Sequence, residues 1–199
     1  CAGCLDNLPW IMKPFCLKCG KDFQPSSEAD KKRFAFRVCA SCRAAKPAFA
    51  SARSAFRYEG VARQAVQSLK FRGRKTLAET FAIFLEERLA DEPGFLADVE
   101  LIIPVPLHPS RRRERGFNQS ALVARELSRR LGIPLSETAL VRNRKTRSQV
   151  GLSAGQRADN IRGAFAAGPE VRGKVVLLVV DVMTTGATAN ACARGLKAG

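Results

Sequence analysis

The stretch formed by residues 174–191, KVVLLVVDVMTTGATANA, constrains the fold of this chain more than any other segment. It opens with six consecutive apolar residues at 175–180, a run that predicts a strand buried on both faces, as in parallel sheets. Asp181 ends the run, and a turn of small and hydroxyl residues at 184–188 leads into a helical pattern near Ala189. Backbone N–H groups and the positive end of the helix dipole converge at such a turn. The stretch therefore predicts a phosphate-binding loop, and a ligand-free βα corner of an α/β domain is the alternative.

Length and charge restrict the class of protein. A chain of 199 residues, 46% of them hydrophobic, fits one α/β domain with a small appendage. The net charge of +16 predicts an anionic partner, namely the phosphates of a nucleotide, of nucleic acid, or of both. A composition rich in arginine and alanine that only solvates the surface is the alternative.

Targeting signals are missing from the sequence as given. No apolar run approaches the roughly 20 residues that cross a bilayer, and no signal-peptide pattern is present. We therefore expect a cytoplasmic protein. The chain begins at Cys1 and stops soon after a helical pattern, so we also expect it to be truncated at both ends.

Six of the seven cysteines form three Cys-x2-Cys pairs in the first 42 residues. Such pairs present two thiolates to one tetrahedral zinc ion, and the spacing of the second and third pairs is typical of a zinc ribbon. A disulfide framework is the alternative, which the missing secretion signal disfavours. We predict a structural Zn²⁺ in a ribbon spanning residues 1–48, with Gly20 in the turn. The predicted ligands are Cys16, Cys19, Cys39 and Cys42, and a second metal site is predicted at Cys1 and Cys4.

Helical periodicity fills the middle of the chain. Apolar residues predict helices over residues 61–71 and 76–90, and Thr76 with Glu79 has the spacing of a capping box. Residues 101–103 predict a short buried strand that runs into a proline-rich turn, and a further helix is predicted to end at Gly132.

An arginine run follows the proline-rich turn. Arg111, Arg112, Arg113 and Arg115 lie just beyond a strand end, where guanidinium groups suit phosphate oxygens. A solvated charge run is the alternative. His108, the single histidine, lies in the same turn, where it either has a structural role or serves as a proton donor or base.

The cysteine pairs and four further segments together resemble the ComF family, competence-associated bacterial proteins with a zinc ribbon and a type I phosphoribosyltransferase-like domain. The segments are YEG…LKFRGR, PVPLHPSRRRERGFNQS, RSQVGLSAGQRADNIRGAF and DVMTTGATANA. The resemblance covers nearly the whole chain. It implies a Rossmann-type parallel sheet with helices on both faces, over residues 49–199.

The resemblance also implies a ligand and its binding residues. The ligand is phosphoribosyl pyrophosphate (PRPP) with Mg²⁺, and the family's reaction displaces pyrophosphate from its C1 atom. Asp181 would face the ribose, and Val105, Pro106 and Arg115 would lie near the pyrophosphate, so that Asp181 and Arg115 are the candidate catalytic residues. The 5′-phosphate would be held by Thr184, Thr185, Gly186, Ala187 and Thr188.

Two positions depart from the family pattern. Val180 replaces the first acid of the motif, which weakens the case for catalysis, and Thr184 stands where purine-salvage members carry an acid. Two functions therefore stay open. One is a phosphoribosyltransferase of unknown acceptor, in DNA uptake or nucleotide metabolism. The other is a non-catalytic module of the DNA uptake machinery that binds single-stranded DNA and a competence helicase.

Overall fold

The computed structural model describes residues 2–23, 26–34, 37–144 and 153–199, except for the side chains of residues 31, 33, 154, 157 and 158. The chain divides into two compact units, Cys1–Val66 and Gln67–Gly199. The domain boundary predicted after residue 48 stays a prediction.

The first unit is small and contains short helices. They are α1 (Ala2–Asp6), α2 (Glu28–Phe34) and α3 (Ala40–Ala45), and a fourth helix, α4 (Gly60–Phe71), crosses into the second unit. Two antiparallel bridges, Phe15 with Asp22 and Trp10 with Phe56, tie the extended segments together. Trp10 and Phe56 also pack ring to ring, with centroids 4.5 Å apart. Aromatic packing thus stabilises a unit that has little regular structure.

The second unit alternates helices and strands. In chain order it contains α5 (Leu77–Ala90), β1 (Leu101–Pro104), α6 (Pro109–Arg115), α7 (Gln119–Leu131), β2 (Leu140–Arg142), α8 (Ala154–Ile161), β3 (Phe165–Ala167), β4 (Val176–Val179) and α9 (Ala187–Ala198). Short 3-10 turns occupy Pro93–Phe95 and Pro169–Val171. In the part of the chain that is described, no helix is long and apolar enough to cross a membrane.

Strands β1 and β4 form a parallel pair at the centre of this unit. Leu101 pairs with Val176 and Pro104 with Val179, so the carboxyl ends of both strands lie at the same edge. A parallel bridge from Ile102 to Leu135 adds a third extended segment on the other side of β1. Strands β2 and β3 pair antiparallel beside them.

Helices cover both faces of the parallel pair, as predicted. Side chains alternate between the faces of a strand, so neighbouring residues of β1 enter different cores. Ile103 packs in one core with Ile161 of α8 and Cys192 of α9. Ile102 packs in the other core, with helix residues that include Leu127 of α7. The mixed α/β architecture with a parallel sheet is therefore confirmed.

Two local predictions need correction, and one helix was not predicted. The apolar run is less buried than predicted, because Val175 precedes β4 and is 49% exposed. The capping box at Thr76 does not form: Thr76 precedes α5 but already has helical backbone angles, and its side chain makes no capping hydrogen bond. Backbone hydrogen bonds such as Ala78 N–H to Lys75 O, at 3.0 Å, already turn the chain before Thr76. The arginine run is a helix, α6, which ends at Gly116 with a φ of 78°.

Candidate metal centre and ligand site

Four cysteines of the first unit form one compact cluster. The sulfur atoms of Cys16, Cys19, Cys39 and Cys42 all lie within 4.8 Å of one another. Tetrahedral zinc with Zn–S bonds of about 2.3 Å places its sulfurs about 3.8 Å apart. The distance from Cys19 Sγ to Cys39 Sγ is 3.9 Å. The cluster therefore fits a tetrahedral metal ion, and the four predicted ligands lie close enough together to hold one.

Two tight backbone segments bring these sulfurs together. The first pair lies in a turn where Gly20 N–H donates to Cys16 O at 2.8 Å. Gly20 has a φ of 73°, and a Cβ there would stand 2.6 Å from Ala52 O, so no other residue fits without a shift. The second pair opens α3, with Cys39 at its N-cap and Cys42 in its first turn.

The electrostatics of the cluster favour a bound cation. Burial raises the pKa of the Cys16 thiol, but several hydrogen bonds, the largest from the backbone N–H groups of Cys39 and Cys19, together outweigh burial and lower this pKa to about 7. The N–H of Cys39 donates to Cys16 Sγ at 3.2 Å. Burial and the neighbouring sulfurs raise the pKa of the Cys42 thiol. Four thiolates repel one another at these distances, and a divalent ion removes that repulsion.

The other cysteines give no second cluster among the residues described. Cys1 lies outside the described residues, and Cys4 is exposed on α1. The second metal site therefore stays a prediction. Cys192 is buried in the core of the second unit, where burial raises the pKa of its thiol and keeps it unreactive.

Asp181 lies at the carboxyl end of β4, inside a network of polar side chains. Lys70 Nζ lies 2.6 Å from Asp181 Oδ2, and both side chains are largely buried. Gln119 donates its amide N–H to the same oxygen at 2.8 Å. Asp181 Oδ1 accepts the N–H of Val182 at 2.8 Å. The carboxylate is thus fixed in one orientation by α4, α7 and its own turn.

Gln119 links Asp181 to the other candidate catalytic residue. Arg115 donates from Nη1 to Gln119 Oε1 at 2.6 Å. The Arg115 guanidinium also lies over the ring of Phe71, 5.2 Å from its centroid. The structure therefore brings the two predicted residues, Asp181 and Arg115, into one hydrogen-bonded network through a glutamine.

The predicted phosphate loop joins β4 to α9. Gly186 is the N-cap of α9 with a φ of 75°, and Asn190 N–H donates to Gly186 O at 2.8 Å. Thr184 and Thr185 are exposed, and Thr185 Oγ1 accepts the N–H of Ala187 at 3.4 Å. The turn therefore presents hydroxyl groups at the start of a twelve-residue helix.

Val105 and Pro106 lie at the neighbouring strand end. Val105 N–H donates to Val179 O at 2.9 Å, and Val105 O accepts from the Asn118 side chain at 3.0 Å. Proline has no N–H group. These two residues can therefore contact a ligand but cannot donate a hydrogen bond to it. Arg115 is the candidate donor at this strand end.

A groove of about 570 Å³ lies against the strand-end turn at Pro106. Arginines 112, 113 and 142 line it, and its acid, Glu137, is paired with Arg125 at 2.5 Å. Burial and the nearby Arg111 and Arg144 lower the pKa of Arg142. Residues 181–188 do not line this groove. It is a second positively charged surface, apart from the phosphate loop.

His108 has a structural role in this region. Its ring Nδ1 accepts the N–H of Ser110 and lies 2.8 Å from the Ser110 hydroxyl, so His108 caps the start of α6. Residues 145–152, which include the start of the segment RSQVGLSAGQRADNIRGAF, lie outside the described residues.

Sequence reasoning missed Lys70 and Gln119 as site residues. Both stand in segments that carry the family resemblance, LKFRGR and RGFNQS, which was the available signal. Nothing in their local sequence indicates that they bind Asp181, because that contact depends on how α4, α7 and β4 pack.

Comparisons with known proteins agree with the resemblance. The family model of the phosphoribosyl transferase domain matches residues 118–199. Competence protein F of Haemophilus influenzae is 31% identical over 202 residues, which cover 99% of this chain and 83% of that protein. Competence protein ComFC of Bacillus subtilis is 26% identical over 203 residues, which cover 98% of this chain and 77% of that protein.

A third relative matches over a shorter region. The DNA utilization protein YhgH of Escherichia coli O157:H7 is 38% identical over 125 residues, 62% of this chain and 55% of that protein. No solved structure matches the chain significantly. The extent of the match to Competence protein F, together with the phosphoribosyl transferase domain, shows that the chain belongs to the ComF family of phosphoribosyltransferase-like proteins.

Proposed function

We propose that the second unit binds a phosphoribosyl ligand, PRPP or a close relative, where β1 and β4 end. The observation that carries this proposal is the network around Asp181, with Lys70 and Gln119 on one carboxylate oxygen and Arg115 beyond Gln119. A fixed carboxylate next to two cations suits a ligand that has both hydroxyl groups and phosphates.

Each part of the ligand has a proposed counterpart. Residues 184–188 hold the 5′-phosphate with hydroxyl and backbone N–H groups, and Asp181 accepts from the ribose hydroxyls. Arg115 and Lys70 face the pyrophosphate. Because the Lys70 ammonium group already pairs with the Asp181 carboxylate, we expect Mg²⁺ to be held by the diphosphate oxygens of the ligand instead of by Asp181.

Transfer chemistry is a further step in this proposal. A nucleophile on the acceptor forms a bond to C1, the bond from C1 to oxygen breaks, and pyrophosphate leaves with the electron pair. The protein's part is to position the ligand and stabilise the leaving group's charge. Val180 offers no second carboxylate beside Asp181. Ligand binding is therefore our main proposal, and transfer to an acceptor of undefined class is the secondary one.

Calorimetry with PRPP and Mg²⁺ on the full chain tests the binding proposal. Asp181→Asn should weaken binding roughly 10- to 100-fold, the loss expected for one charge-assisted hydrogen bond. Asp159→Asn is the matched control, because Asp159 is exposed on α8, where it pairs with Arg162 at 2.7 Å. The proposal fails when the unaltered protein gives no binding heat, or when both variants bind equally well.

A second function, binding of single-stranded DNA, has independent support. The relatives include proteins named for competence and for DNA utilization, and the net charge of this chain is +16. We propose weak, sequence-independent binding in DNA uptake, with a competence helicase as protein partner. Log affinity should fall steeply and linearly with log salt. Absence of binding at low salt contradicts this second function.

We propose zinc as the ion of the four-cysteine cluster, since tetrahedral sulfur sites of this spacing select zinc. Reduced thiols at such a site fit a cytoplasmic location. Elemental analysis of protein purified without chelator should find one zinc per chain.

A further inference from the structure

The end of α4 exposes an aromatic ring among cations. Phe71 is the last residue of the helix, and it is 71% exposed, whereas Leu69 two positions earlier is buried. The ring therefore contributes little to the core. Lys70 and Arg72 flank Phe71 in the chain, and Arg74 and Lys75 follow it by three and four positions.

Cations lie over the exposed Phe71 ring and over the ring of Phe117. The Arg115 guanidinium lies 5.2 Å from the Phe71 centroid, and most of the ring stays open to solvent. Lys75 Nζ lies 5.4 Å from the centroid of Phe117. Lys75 follows Phe71 by four positions and Phe117 follows Arg115 by two, so we group the two ring–cation contacts as one surface, which we name the Phe71 surface. It consists of Lys70, Phe71, Arg72, Arg74, Lys75, Arg115 and Phe117.

Among the residues that the structure describes, acidic side chains do not neutralise the exposed part of this surface. Within the described ranges, none of the ion pairs involves Arg72, Arg74 or Lys75. Lys70 is the member that pairs with an acid, Asp181. An open aromatic face beside unpaired cations is the arrangement that stacks a base and holds its phosphates.

We propose that the Phe71 surface binds single-stranded nucleic acid, with one unpaired base stacked on Phe71 and the flanking phosphates held by Arg72, Arg74 and Lys75. This inference rests on the second proposed function and gives it a location. Bases of a duplex are stacked on one another, so their faces cannot reach a protein ring. The site therefore selects single strands.

The surface adjoins the proposed phosphoribosyl site. Lys70, next to Phe71 in the chain, contacts Asp181 at 2.6 Å, and Arg115 reaches Asp181 through Gln119. A strand bound at Phe71 thus lies beside the same network that faces the phosphoribosyl ligand. We expect the two ligands to affect each other's binding, because Lys70 and Arg115 belong to both sites.

Fluorescence anisotropy on the full chain tests the inference with two probes. One is a thymidine oligonucleotide of about 20 nucleotides, and the other is an abasic phosphodiester strand of the same length. Phe71→Ala should bind the thymidine strand about 5- to 100-fold more weakly, the loss expected for one stacked base. Its affinity for the abasic strand and its salt dependence should not change, and Phe71→Trp should retain binding.

Two further variants separate stacking from charge. Arg72→Gln with Arg74→Gln should lower the slope of log affinity against log salt by about 1.4 for both probes, since two phosphate contacts are lost. Val175→Ala is the matched control, because Val175 is also exposed, at 49%, in the same unit. It should bind both probes as the unaltered protein does.

The outcomes distinguish this inference from the function on which it rests. Phe71→Ala binding both probes like the unaltered protein, or losing both equally, overturns the stacking site while charge-driven DNA binding survives. When the unaltered protein binds neither probe at low salt, the DNA-binding function and the Phe71 site both fall. The proposal of phosphoribosyl binding is unaffected by either result.

Discussion

Replacing Lys70 with methionine tests the network that orients Asp181. Methionine keeps much of the stem length and removes the ammonium group 2.6 Å from Asp181 Oδ2. The side chains of Lys70 and Asp181 are 17% and 15% exposed, so this salt bridge is neither at the surface nor fully buried.

The expected loss of stability follows from that partial burial. Surface ion pairs contribute about 0–1 kcal/mol, and breaking a buried pair from one side costs about 3–5 kcal/mol. Water reaches part of both side chains, and Asp181 keeps hydrogen bonds from Gln119 and Val182. We therefore expect Lys70→Met to lower the free energy of unfolding by about 2 kcal/mol.

Urea denaturation of a double-mutant cycle measures this value. The cycle combines Lys70→Met with Asp181→Asn, and we expect a coupling energy of about 1–2 kcal/mol. Lys75→Met is the control, because its ammonium group lies over Phe117 at an exposed site and should cost less than about 1 kcal/mol. A coupling energy near zero would refute the contact between Lys70 and Asp181.

Three other variants probe the remaining parts of the structure. Gly20→Ala should destabilise the first unit by about 2 kcal/mol or more, because its Cβ would meet Ala52 O at 2.6 Å and its φ is 73°; chemical denaturation checks this, and an unchanged midpoint contradicts it. Cys42→Ser should lose the metal ion, which elemental analysis detects, with full zinc occupancy as the contrary result. Val180→Asp should cost about 2–4 kcal/mol, because Val180 packs against the core that contains Ile103. Thermal unfolding equal to that of the unaltered protein contradicts the last prediction.

The parts of the fold that sequence predicted depend on local patterns. The strand at 101–104 and the helices α4, α5 and α7 follow from hydrophobic periodicity, which is a property of neighbouring residues. The four-cysteine cluster follows from the spacing of two knuckles, each fixed by its own turn.

The parts that sequence did not predict depend on tertiary packing. Gln119 reaches Asp181 across 62 positions in the chain, and no local rule pairs an amide with one carboxylate among several. The Thr76 capping box does not form because backbone hydrogen bonds to residues 74 and 75 already place Thr76 in a helical conformation. The types of the side chains do not reveal such a turn. Helix α6 was missed because its arginines have no apolar periodicity, although Pro109 and Gly116 mark its ends.

The site where β4 ends is proposed to bind a phosphoribosyl ligand. A crystal structure of the full chain grown with PRPP and Mg²⁺ tests this proposal most directly. We predict density for the 5′-phosphate against residues 184–188, with a ribose hydroxyl within hydrogen-bond distance of Asp181. Density for the ligand in the arginine groove at residues 112, 113 and 142, with residues 184–188 lacking phosphate at saturating ligand, would contradict the account.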